Sequence, residues 1–173
     1  MTEEEIFKQT KGAYIGLLHP LDKHEEFGGY VETLINLAPK VSNEVIQVML
    51  AGSSWRERLL GNCMAMTRQN VPDSFVACML QSLRDPRCLS IVPTCAALAL
   101  LARRGVFKMT PAFGTMFDRA VFNGELAWAV DKAMFFCGLR SEDVSGNAPN
   151  DGQTFEDHVR FYQSLHPESN HVD

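Results

Sequence analysis

Five histidines and five cysteines carry the widest chemical range in this 173-residue chain. His19, His24, His158, His166 and His171 stand apart. None is spaced from another His, a Cys or a carboxylate as a strong metal site requires. His19 and His24 fall in an early loop, His166 and His171 lie in a polar tail, and solvent exposure is the reading for all five. Cys63, Cys78, Cys88, Cys95 and Cys137 form an odd count with no CxxC pair. Most sit in apolar helical runs beside Met, Ala or Phe. Burial raises a thiol's pKa and makes it inert, so these read as free, small hydrophobes in a reducing compartment.

Nucleophile and phosphate motifs fail as well. The chain has no GxSxG, no GxxxxGK[ST] and no GxGxxG. The acid pairs Glu25–Glu26, Asp118–Glu125 and Glu142–Asp143 have the types for a general acid and base, yet they lie near helix ends and turns, where acids cap or solvate. No catalytic residue, metal ligand or cofactor is assigned. An enzyme on a helical scaffold, using a carboxylate or cysteine site, stands as an alternative.

The polar group with most to say is Trp55-Arg56-x-Arg58. Two arginines at a helix start oppose the macrodipole, so something other than local helix energetics keeps them there. One reading pairs Arg56 or Arg58 with an acid on a neighbouring helix, with Trp55 packed between helices. The other makes the cluster a partner-binding hot spot, for which Trp and Arg are the enriched types. Trp128 and Asp131, three residues apart on one helical face, join Glu125 as further exposed candidates. Trp128 fits a core position equally well. The partner-binding set is therefore Trp55, Arg56, Arg58, Glu125, Trp128 and Asp131.

Apolar spacing of three and four residues places these groups on helices, and no run alternates as a strand would. Phe27 to Leu37 reads as a helix stopped by Pro39. Ser42 caps the next, which ends near Gly52. Ser53 opens a helix through Met66, and Phe75 to Leu83 forms another, ended by Asp85-Pro86. A long apolar helix is expected from Arg87 to Arg104, ended by Gly105 and kinked or divided at Pro93. Helices from Pro111 to Val121 and from Leu126 to Phe136 follow, the second ending at Cys137-Gly138. Ser145 to Gln153 reads as a loop, and Thr154-Phe155-Glu156-Asp157 as the capping box of a last helix.

The helix starts carry a repeat. Ser53, Asp85 and Asn123, all good caps, stand 32 and 38 residues apart. Leu59, Ile91 and Ala129 lie six residues after them, and Cys63, Cys95 and Ala133 ten after. Each cap follows a shorter apolar segment. Helix pairs that cannot bury their stripe alone form one core by stacking. The expected fold is all-α: a right-handed stack of about three HEAT-like helix pairs with N- and C-terminal capping helices. It spans 1–165 as one domain, with 166–173 a frayed polar tail. An irregular helical bundle is the competing architecture.

Trp55-Arg56-Glu57-Arg58-Leu59-Leu60-Gly61 resembles the WRxRLxG segment of a bacterial family of small HEAT-like helical proteins. Ala97 to Gly105 is similar to that family's apolar helix, and Met116 to Leu139 to its last helix pair. Some members look like immunity proteins of polymorphic toxin systems. The resemblance runs over roughly 42–139. It implies a non-enzymatic adaptor or inhibitor, one form being an antitoxin that masks a toxin.

Charge and location are consistent with a protein partner. Lys and Arg number 16 against 21 acids, a net charge of −5. That balance disfavours a phosphate backbone and suits solubility or a basic partner. Arg84, Arg87, Arg103 and Arg104 would form a basic ridge if the repeats align, which keeps an anion or nucleic-acid partner as a further alternative. Met1-Thr2-Glu3-Glu4-Glu5 puts acids where a signal peptide has bases. The longest apolar stretch, Cys95 to Ala102, is too short to span a bilayer, so a cytoplasmic protein without membrane contact is expected. The oligomeric state stays open.

Overall fold

The computed structural model describes residues 1–10, 17, 27–85, 90–118, 124–142 and 153–166. Every regular element among them is helical: α1 (Glu3–Gln9), α2 (Phe27–Leu37), α3 (Asn43–Ala51), α4 (Trp55–Met66), α5 (Asp73–Ser82), α6 (Ile91–Arg103), α7 (Glu125–Phe136) and α8 (Gln153–Ser164). Two 3-10 segments, Ala38–Lys40 and Pro111–Thr115, complete the set.

The caps explain most boundaries. Thr2 and Glu5 close a reciprocal box over α1, and the Ser42 hydroxyl accepts from the Val45 amide at the start of α3. α4 is capped by Ser54, one residue later than expected; its amide donates to Glu57 Oε2 at 3.0 Å. That carboxylate supplies the negative charge that the first turn prefers. α6 and α7 end alike. Gly105 and Gly138 take φ values of 75° and 70°. In both helices the two amides after the cap bond back to the last turn, Gly105 to Ala102 and Val106 to Leu101, then Gly138 to Phe135 and Leu139 to Met134. Each is a Schellman closure, for which glycine avoids the Cβ penalty of left-handed backbone.

Three expectations are corrected. The apolar helix starts at Ile91 with Ser90 as its cap, so Asp85 is not a cap and Pro93 stands in the first turn. Amides there have no intrahelical acceptor, so proline neither kinks nor divides the helix. Residues 86–89 lie outside the described set. The stretch after Pro111 is a five-residue 3-10 segment that ends at Thr115, with 116–118 non-helical, and 119–123 lie outside the described residues. Thr154 lies inside α8 and caps nothing. The three helices of the expected repeat thus have caps at Ser54, Ser90 and Gly124, separated by 36 and 34 residues.

α4 and α6 form the middle. α4 is buried from Arg58 to Met66 and α6 from Ile91 to Leu101, so neither shows a clear polar face. α4 packs against α3, α5, α6 and α8, and α6 also packs against α7 and α8. Asn62 of α4 donates to Thr94 Oγ1 of α6 at 2.9 Å, and that hydroxyl donates to the Ser90 carbonyl at 2.6 Å. This chain satisfies buried polar groups that would otherwise cost about 1–3 kcal/mol each. α8 covers this middle pair with Phe155, Val159, Phe161, Tyr162 and Leu165, each 5 % exposed or less. Lys132 of α7, itself buried, bonds Glu156 of α8 at 2.7 Å.

Candidate functional site

The residues expected to bind a partner divide between two places. Trp55, Arg56 and Arg58 stand in the first turns of α4. Arg56 is exposed, with its guanidinium 4.7 Å from the Trp55 ring centroid, and Trp55 is half-buried. Arg58 is 4 % exposed. Its Nε donates to the Gly52 carbonyl at 2.7 Å and its Nη2 to Asp85 Oδ2 at 2.6 Å. The inter-helix pairing is therefore the reading the geometry follows, and it corrects the placement of Arg58 on an exposed face. Asp85 joins the end of α5 to the start of α4. A cavity of about 450 Å³ opens beside the pair, lined also by Ser53, Cys78 and Gln81.

The other three residues belong to α7. Trp128 and Asp131 are 6 % and 7 % exposed, so neither forms the exposed face expected of them. Trp128 takes a core position, and Asp131 Oδ2 receives Arg140 Nη1 at 2.6 Å, tying α7 to the chain beyond Gly138. Glu125 is half-buried, and burial raises its carboxyl above the ordinary range. α6 packs between α4 and α7, so the six residues do not form one continuous surface.

A different constellation lies at the opposite end of α4. The C-terminal ends of α6 and α7 sit side by side: the Arg103 guanidinium stacks 4.9 Å from the Phe136 ring centroid, and Cys137 Sγ reaches the Ala99 carbonyl at 3.5 Å. Between the two Schellman turns runs an open groove of about 560 Å³. Val106, Phe107, Met109 and Leu139 give it an apolar lining, while the exposed cations Arg103 and Lys108 complete its wall. Among the described residues neither cation forms an ion pair. Val106 also borders a second hollow shared by Arg68, Arg104 and His166. Arg68 donates to the carbonyls of Ala38 and Val41, which brings the exposed Lys40 to the same end.

Cations gather here for a local reason. Helix C-termini present unpaired carbonyls and about half a negative charge each. The expected Arg ridge is not what forms. Arg84 adjoins Asp85, at the start of α4, whereas Arg103 and Arg104 lie where α4 ends, about one 18 Å helix length away. Arg87 is outside the described residues. The Arg-Arg-Gly-Val and Phe-Cys-Gly-Leu strings at 103–106 and 136–139 did mark two helix ends. Nothing in their spacing showed that the two ends adjoin.

Burial governs Cys63, Cys78, Cys137 and Tyr162, and His158, expected at the surface, is fully buried on α8. Cys63 is fully buried, and burial drives its thiol far above the ordinary range. Burial raises Cys78 as well, and it raises Cys137 against the opposing charge of Arg103. Burial, and then the neighbouring Cys63, push the Tyr162 hydroxyl well above its usual range; Asn62 approaches it and acts the other way, without reaching hydrogen-bond geometry. Cys88 lies outside the described residues. Among the described residues no three His, Cys, Asp or Glu side chains converge as metal ligands, and no helix is long and apolar enough to cross a membrane.

Comparison with protein-family models, curated proteins and solved structures finds no match for this chain.

Proposed function

We propose that this chain is a non-enzymatic protein-binding module whose contact surface is the end at which α4, α6 and α7 terminate. The observation that carries the reading is the groove between α6 and α7. An apolar lining edged by exposed cations is the anatomy of a protein interface, with an apolar centre and a polar rim. The polar residues elsewhere that could have served a partner, Arg58 and Asp131, are held in internal ion pairs.

The architecture we propose is a short stack of three helix pairs. α3 precedes and packs on α4, α5 precedes and packs on α6, and the 3-10 segment at Pro111–Thr115 precedes and packs on α7. α4, α6 and α7 neighbour one another in chain order, and their caps recur at 36 and 34 residues, which supports a HEAT-like repeat over an irregular bundle. α8 closes one face, so the ends of the stack are left for binding. The Trp55–Gly61 segment supports an immunity-type role, in which the module masks a toxin.

The test places a photo-crosslinking residue at Phe107, in the groove, and at Gln47, exposed on α3, in the chain expressed in its native host. The reading expects one protein captured from position 107 and not from 47, and relief of that protein's toxicity on co-expression. Equal capture from both positions, or none from either, defeats it.

A further inference from the structure

We infer that the groove between the ends of α6 and α7 takes an acidic peptide segment of the partner, one that inserts apolar side chains between flanking carboxylates. The inference rests on the binding reading above and names the chemistry of its ligand.

Three observations carry it. First, the lining is apolar and the cations are peripheral. Val106, Phe107, Met109 and Leu139 line about 560 Å³, whereas Arg103 and Lys108 are exposed. A small-molecule pocket would instead bring a few polar groups together at its centre. Second, the local charge is opposite to that of the chain. The two helix ends contribute about half a negative charge each. The two full charges of Arg103 and Lys108 exceed that, and Lys40 and Arg68 stand at the same end. Third, the sign reversal is local. The chain carries −5 overall. A short acidic segment seated in the groove senses the cations within a Debye length of about 8 Å. A long polyanion such as DNA would also meet the repulsion of the rest of the molecule. Charge complementarity with an apolar centre therefore selects an acidic amphipathic segment over a phosphate backbone.

The geometry assigns each wall a task. Arg103, held against the Phe136 ring, presents a planar donor fork that suits a carboxylate. Lys108 adds a mobile point charge. The Schellman turns pair the carbonyls of Leu101 and Ala102, and of Met134 and Phe135, which leaves fewer unpaired acceptors beneath the apolar lining.

The probe is a fluorescein-labelled peptide of glutamates with two central leucines, read by anisotropy against the full-length protein at low salt. Its controls are an all-glutamate peptide, the lysine analogue and a single-stranded DNA of equal length. The expected result is saturable binding of the glutamate–leucine peptide, weakened about tenfold by Lys108→Glu or by Arg103→Glu and unchanged by Arg84→Glu, an exposed position beside Asp85 at the far end of α4. Lys108 is exposed and makes no ion pair among the described residues, so the Lys108→Glu melt should match the parent, whereas Arg103→Glu also loses its Phe136 stack and sets an acid at a helix C-terminus, which lowers its melt. The inference is overturned if the all-glutamate peptide or the DNA binds as tightly, or if Arg84→Glu weakens binding as much. Failure of the glutamate–leucine peptide while crosslinking from Phe107 still captures one protein would overturn the acidic-segment inference alone. Failure of both would remove the binding reading too.

Discussion

Gly61→Ala is the substitution on which helix propensity and packing disagree most sharply. Gly61 sits inside α4, at the end of the Trp55–Gly61 segment. Propensity alone expects alanine to stabilise an interior helical glycine by about 1 kcal/mol. The structure reverses the sign. A Cβ at Gly61 would lie 2.9 Å from the Leu50 backbone nitrogen and 3.1 Å from its Cγ and Cδ2. The nitrogen belongs to α3 and has no rotamer by which to move, so the two helices must separate. Overpacking costs about 1–3 kcal/mol, and a clash with backbone, which no rotamer relieves, belongs in the upper part of that range, about 2–3 kcal/mol. Subtracting the propensity gain leaves a net loss of about 1–2 kcal/mol, or a fall in Tm of roughly 2–8 °C for a chain of this size. Gly29→Ala provides the control: it lies within α2, is exposed, and nothing stands within 4 Å of its added Cβ. It should gain about 0.5–1 kcal/mol. Urea unfolding of both variants beside the parent measures the difference. A Gly61→Ala protein as stable as the parent, or stabilised like Gly29→Ala, would refute the claim that α3 and α4 meet through that glycine.

Other consequences follow from buried charge and backbone strain. Asp85→Ala leaves the Arg58 guanidinium buried without its carboxylate and should cost about 2–4 kcal/mol by urea melts, with Arg58→Met costing less because Asp85 reaches solvent more readily; equal losses would argue against a desolvated arginine. Gly138→Ala should lose about 1 kcal/mol from its φ of 70° alone, since open space surrounds the new Cβ; an unchanged melting curve would contradict the left-handed turn. Burial raises the Glu125 carboxyl, so the folded chain holds that proton more tightly than the unfolded one. Stability from this group is therefore full below its ordinary value and falls as pH rises through the elevated one. Glu125→Gln should raise Tm near pH 7 and lose that advantage near pH 4; a difference independent of pH would count against the burial.

Local chemistry made the helix ends legible, and longer-range pairing did not. Ser42, Gly105 and Gly138 mark boundaries because a cap hydroxyl or a left-handed glycine turn acts on its own few residues. Asp85 misled for the converse reason. It has a good capping type, but Arg58, twenty-seven residues earlier, claims its carboxylate. Pro93 misled because its effect depends on which turn it occupies, and that turn starts only at Ser90. Arg58 and Asp131 showed the right types for a binding surface, but side-chain type does not record whether a partner already exists inside the molecule. The groove has no signature in the sequence, since it joins two segments, 102–109 and 137–139, that are far apart along the chain and each unexceptional alone.

The seal made by α8 bears on how the chain is synthesised. Asn62 and Tyr162, neighbours in the finished fold, are a hundred residues apart. A ribosome adding about 5–20 residues per second makes the first of them roughly 5–20 s before the second. Until then, the faces of α4 and α6 that α8 will cover have nothing of their own chain against them. The nascent protein therefore presents its most apolar helices to the cell before it can bury them, a window in which chaperone binding or self-association competes with completion of the core.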